Sequence, residues 1–253
     1  KLNITNAVKA EVEEATKEES AGVYDSEGNL IASWDRLKEE YNLNIENSYD
    51  PNTSETNNSD GNSMYYVLNQ DEFKEKTGLK IIIPSSVTNI GEHAFDHCSS
   101  LTSIEIAESV TSIGDYAFYY CRSLTNIKIP KGVKSINQCT FWYCDSLTNI
   151  TLPEGVTSIE GIAFLGCTSL TRIDIPSSVT SIGEYAFSNC QSLTNITIPS
   201  SVTTIEEYTF QNCSNLDIKV PSTVETIKNE NAFEGCKSVT YENEKGRDKY
   251  FGS

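Results

Sequence analysis

The sequence predicts an α/β repeat solenoid, a right-handed stack of coils built from short parallel strands and helical turns, with a small α+β module ahead of it. Three observations carry that prediction. From residue 81 onward, Cys98, Cys121, Cys144, Cys167, Cys190, Cys213 and Cys236 recur every 23 residues. Phe95, Phe118, Phe141, Phe164, Phe187, Phe210 and Phe233 keep the same step. Valine and isoleucine columns run in phase with them, from Val87 and Ile90 to Val224 and Ile227. A repeat this short cannot hold a βαβ unit, but it matches one coil of a solenoid.

Each element of the coil follows from its residue pattern. Residues 170–192, LTRIDIPSSVTSIGEYAFSNCQS, display the unit. The LTxIxIP segment alternates apolar and polar residues and reads as a short strand. Proline (Ala107 in one coil) closes it, because proline donates nothing to a ladder. VTxIG reads as a second extended piece ending in a turn. The spacing of xxAFxxC suits one helical turn that drops Phe and Cys inward. Stacked coils then pair their strands in parallel, about 4.8 Å apart, so each column becomes a structural ladder of equivalent side chains. One residue is dropped between Cys213 and Pro221, and one is added before Phe233, which restores the register.

This LTxIxIP–VTxIG–AFxxC frame, recurring about seven times over residues 81–241, resembles the BspA-like class of leucine-rich repeats. The resemblance implies a leucine-rich-repeat-like coil stack on a surface protein of a host-associated bacterium. It further implies adhesion, with host matrix proteins or other cells as partners.

The ends depart from the frame. Residues 1–20 are acidic and sparsely apolar, a frayed or disordered lead. Residues 21–49 read as a hairpin turned at Ser26–Asn29, then a helix capped by Ser33 with Trp34, Leu37 and Tyr41 on one face. Residues 50–63 are a polar linker, 64–80 an N-terminal cap, and 242–253 a tail or C-terminal cap.

Composition excludes some functions. The chain has 253 residues, 36 of them acidic and 19 basic, for a net charge of −17. That field repels phosphate backbones, so nucleic acid is not an expected partner. No stretch reaches the ~18 apolar residues of a bilayer span, so no membrane insertion is expected. The chain opens on Lys1 and its single methionine is Met64, as in a chain with a trimmed export leader or in a truncated one; with the resemblance, an extracellular or cell-surface protein whose leader has been removed or trimmed is expected.

Chemistry-bearing residues are absorbed by the repeat. The cysteine column reads as a reduced ladder of small buried hydrophobes. Cys139 stands apart, two residues before Phe141, and is expected to be the first thiol to react. His93 and His97, with Asp96 and Cys98, superficially suggest a metal site, yet other coils fill those slots with Tyr or Gly. No phosphate loop, nucleophile elbow or paired carboxylates stand out, so no enzyme activity, catalytic residue, cofactor or metal is expected.

Two surfaces remain as candidates. The strand face presents Glu105, Lys128, Asn149, Arg172 and Asp174, which reads equally as a well-solvated mixed-charge surface. The convex edge presents Tyr119, Tyr120, Trp142 and Tyr143, where other coils carry Ser, Asn, Gln or Gly. Clustered Tyr and Trp suit a protein hot spot or a platform for sugars. The same rings could instead merely cover the convex edge or pack beneath the N-terminal segment. The expected function is binding of a protein partner, with glycan binding and a passive stalk as the other readings.

Overall fold

A computed structural model describes residues 20–46 and 63–242. The expected lead before residue 20, most of the polar linker and the tail from residue 243 lie outside these residues. The chain winds as a parallel-strand solenoid of about seven coils with little helix.

Two ladders run along the stack. In the first, Leu79–Ile82, Leu101–Glu105, Asn126–Lys128 and Asn149–Thr151 pair in parallel. It continues through a bridge from Arg172 to Asn195 and ends with Asp217–Val220 on Ser238–Tyr241. The second is made of two-residue strands such as Ser135–Ile136, Ser158–Ile159 and Ser181–Ile182. Between the ladders, each proline (or Ala107) carbonyl accepts the N–H of the valine three residues on, as in Pro130 to Val133 at 3.1 Å. The proline that cannot extend the strand therefore opens a tight turn.

The xxAFxxC segments correct the expectation of helical turns. Each is a pair of tight turns in which two residues adopt left-handed backbone: Tyr116 and Tyr120 in one coil (φ 55° and 57°), Cys139 and Tyr143 in the next (57° and 56°). Alternate N–H groups bond three residues back, as Cys121 to Phe118 (3.2 Å), while those between reach the following coil, as Phe118 to Thr140 (2.9 Å) and Tyr120 to Trp142 (2.9 Å). An α-helix would spend all those donors within its own segment; here half of them knit coil to coil. Only the last coil carries a regular short helix, the 3₁₀ turn Glu230–Phe233.

The core is two stacks of side chains. Phe95, Phe118, Phe141, Phe164, Phe187 and Phe210 are all fully buried, and Phe233 in the last coil is 7% exposed. Successive rings lie 5.1 to 5.9 Å apart and within 9° of parallel, an offset-stacked ladder. Phe164 stacks on Phe187 at 5.2 Å, and Phe187 on Phe210 at 5.7 Å. Beside this stack, the thiols of Cys121, Cys144, Cys167, Cys190, Cys213 and Cys236 each donate to the carbonyl of the phenylalanine 26 residues earlier, at 3.0 to 3.2 Å. Cys98 is buried at the head of the column, and all eight cysteines are free.

The first coil is covered on three sides. Strand β1 (Gly22–Tyr24) pairs antiparallel with both β2 (Leu30–Ser33) and β3 (Leu79–Ile82), closing the first ladder's edge. Ile45 accepts the Gly91 N–H (2.6 Å) and Glu46 the Thr88 N–H (2.8 Å), closing the second. Met64, which opens helix α2 (Met64–Leu68) after α1 (Trp34–Tyr41), donates to Ala94 at 3.0 Å on the turn side. Val23, Trp34, Leu37, Met64, Val67 and Phe73 are buried in the same apolar cluster as the coil residues. Residues 20–46 are thus a lid on the solenoid's end rather than a separate body, because an open end would leave unpaired backbone and apolar columns in water.

Candidate binding surface

The ladder residues are scaffold and offer a partner nothing. Phe164, Phe187 and Phe210, like Phe95, Phe118 and Phe141, present no surface to solvent, and neither do Cys121, Cys144, Cys167, Cys190 and Cys213. Any recognition must come from the side chains between and around them.

The aromatic residues of the turn edge, expected to be convex, form one contiguous stack over three coils. Tyr120 lies 4.9 Å from His97 on one side (14° between planes) and 5.0 Å from Tyr143 on the other. Tyr119 packs 4.7 Å from Trp142 and edge-on against Tyr120 at 4.5 Å, and Trp142 stacks on Tyr143 at 5.6 Å. The ledge exists because the left-handed residues at 97, 120 and 143 throw their side chains sideways over the neighbouring coil. Gly166 ends it: a Cβ there would come within 2.5 Å of the Tyr143 ring. The following coils continue with Asn189 and Asn212.

All four rings singled out by sequence are half-buried rather than splayed into solvent. Burial, with the neighbouring Tyr120 hydroxyl second, pushes the Tyr119 phenol up to about 12. Trp142 Nε1 is buried without a hydrogen-bond partner, the one such side-chain atom among the described residues. Two further members escape the sequence reading. Arg122 places its guanidinium 4.6 Å from the centroid of Tyr120, and His97 caps the stack. His97 stands in the same column as Tyr120 and Tyr143, so its place is visible there, but only as an aromatic and not as a metal ligand. Nδ1 of His93 and Nδ1 of His97 both contact the Asp96 carboxylate, the first at 2.8 Å. His93 stacks on Tyr116 at 4.7 Å.

Cys139 requires a correction. Sequence position suggests the most reactive thiol, yet it is fully buried, and burial pushes its thiol above the ordinary range. A hydrogen bond with the Tyr116 hydroxyl fills the site, and that contact, with burial second, pushes Tyr116 up to about 12. The half-exposed thiol is Cys236 in the final coil, pushed by burial up to about 11.

The strand face neutralises itself. Glu105 pairs with Lys80 (2.8 Å), Lys128 with Glu108 (2.8 Å) and Arg172 with Asp174 (2.8 Å). Asn149 is exposed, in register between Asn126 and the next coil. Exposed pairs of this kind add little stability, but they leave no uncompensated charge for a partner to read. No group of three or more metal-binding side chains occurs among the described residues, and no helix there is long and apolar enough to cross a membrane.

A parallel-strand solenoid whose 23-residue coils repeat one apolar frame is a leucine-rich-repeat scaffold. The chain belongs to the BspA type leucine rich repeat region family, whose model matches residues 67–171 and 111–240. Among solved structures it is similar to a leucine-rich repeat protein from Bacteroides ovatus, 38% identical over 58% of this chain and 41% of that one (TM-score 0.57). It is also similar to the T. pallidum leucine rich repeat protein, 27% identical over 64% of this chain and 72% of that one (TM-score 0.54). A leucine-rich repeat protein from Eubacterium ventriosum is 29% identical over 65% of this chain and 45% of that one (TM-score 0.56). The chain therefore spans less than half of the Bacteroides and Eubacterium proteins. No curated protein sequence matches it.

Proposed function

We propose that the protein is a non-enzymatic adhesion module, secreted or displayed on the surface of a host-associated bacterium, that grips a protein partner through the aromatic ledge of Tyr119, Tyr120, Trp142 and Tyr143. Family membership supports the scaffold role, and the ledge supports the place. The observation that carries the reading is the cost of Trp142: its indole N–H is buried unbonded, which typically costs about 1–3 kcal/mol. Other coils avoid that cost with Ser188 or Gln211 at the same position. A residue that stability alone does not favour, set among half-exposed rings, fits hot-spot chemistry. Glycan stacking on the ledge is the poorer reading, since the face of Tyr120 lies against His97 and Arg122 and that of Trp142 against Tyr143.

Surface plasmon resonance of the whole chain against a panel of extracellular-matrix proteins tests this. Tyr120→Ala with Tyr143→Ala is expected to weaken the partner found by about 2 kcal/mol or more, and Arg172→Ala to leave it unchanged. Equal affinity of the double variant and the parent would remove the ledge from the interface.

A further inference from the structure

Next to the ledge, where residues 68–74 meet the first two coils, lies a cleft of about 500 Å³, a size that takes a small-molecule ligand. Its charge runs against the rest of the molecule. Lys74 and Arg122 line it, no carboxylate does, and the chain as a whole carries −17. The counter-charges lie outside the lining. Lys74 reaches Asp71, an almost fully exposed residue, at 2.6 Å, and Arg122 reaches Asp145 at 3.5 Å. Surface pairs like these exchange readily for a better acceptor.

The guanidinium is also held in place. Arg122 holds its guanidinium 4.6 Å from the centroid of Tyr120, and Tyr120 stacks on His97, whose Nδ1 contacts Asp96. A guanidinium packed on an aromatic ring retains a planar fork of N–H donors suited to two-point recognition of a carboxylate. The floor adds the side chains of Ser99 and Ser100. The backbone there offers little to a peptide, because the N–H groups of His97, Cys98 and Ser99 already bond to Tyr119, Phe95 and His97. Recognition must run through side chains, which suits hydroxyls and a carboxylate on one compact ligand.

We infer that this cleft binds an acidic oligosaccharide of the uronic-acid type, with the sugar carboxylate on Arg122 and Lys74 and its hydroxyls on the serines. This site adjoins the protein-binding ledge and shares Tyr120 with it, but it rests on Arg122, Lys74 and the serines rather than on Trp142 and Tyr143.

Titration calorimetry on the whole chain tests it with trigalacturonic acid, its fully methyl-esterified form and hexaglutamate. Trigalacturonic acid is expected to bind, to weaken at least tenfold in Arg122→Gln and in Lys74→Gln, and to weaken with added salt. Arg122→Lys, which keeps the charge and loses the fork, is expected to fall between. Trp142→Phe is expected to leave this binding unchanged, which separates it from the ledge. No binding, equal binding of the ester, insensitivity to both Gln variants, or hexaglutamate binding as tightly would each overturn the assignment. Melting curves establish that the variants remain folded.

Discussion

The Cys144 thiol donates to the carbonyl of Phe118, 26 residues earlier and one coil away, at 3.2 Å. The same carbonyl accepts the Cys121 N–H at 3.2 Å, so one oxygen closes a turn and ties two coils together. That double duty explains why cysteine, a small apolar side chain with a weak donor, fills the column.

Cys144→Ala removes both the sulfur's packing and its bond, and should cost about 1–2 kcal/mol in urea denaturation. Cys236→Ala should cost less, because that thiol is half-exposed.

Burial raises the ladder thiols, Cys236 up to about 11 and the interior ones further. The folded chain therefore holds these protons to higher pH than the unfolded chain, whose thiols titrate near 9. Stability from this source is complete below pH 9 and should fall as pH rises toward 11, seen as a declining urea midpoint. In native-state labelling with iodoacetamide, Cys236 should react first; modification of Cys139 ahead of it would contradict its burial.

Phe141 is a fully buried rung with rings at 5.5 and 5.4 Å on either side, those of Phe118 and Phe164. Phe141→Ala opens a cavity in mid-ladder and should cost roughly 3–5 kcal/mol by chemical denaturation. An effect below about 1 kcal/mol would mean that the stack collapses to fill the gap.

Ile162 sits at φ 62°, the one β-branched side chain among the left-handed residues described. That geometry costs roughly 1–2 kcal/mol. Ile162→Tyr removes the branching and extends the stack that Tyr185 makes with Tyr208 at 4.6 Å. A rise of a few degrees in melting temperature is expected, and a fall would show that Ile162 packs better than its backbone strain suggests.

Gly166 has φ 73° and lies beneath Tyr143. Gly166→Ala should push that ring outward and lower the melting temperature. Near-ultraviolet circular dichroism should register the change in the aromatic stack.

The identity of the core was legible in the sequence. A strict 23-residue period names every inward column, because in a stack the neighbour of residue n is residue n ± 23 whatever the coil's detailed path. Phe164, Phe187 and Phe210 are placed inward by that translation as surely as Phe141, since each differs from it by whole periods. The inward reading of Phe141 and Cys144, with Trp142 and Tyr143 as the deviation, follows in the same way. The path of the coil was not legible. The spacing of Ala, Phe and Cys fits a helical turn, and only hydrogen bonds to the next coil, absent from any single repeat, favour left-handed turns instead.

For the same reason the sequence misplaced Cys139. Its column is set by the period and shares one left-handed backbone, but its mates are half-buried, and only the short Cys139 side chain, against Tyr116, is covered completely. The cleft beside Arg122 is further still from sequence. Lys74 and Arg122 are 48 positions apart and belong to different kinds of segment, so no periodicity relates them. What the sequence determined by itself was everything that repeats, since translation along the stack turns spacing directly into contact. What only the tertiary structure decided was everything at the turns and at the end of the stack, where backbone handedness and the docking of a non-repeating lid choose the neighbours.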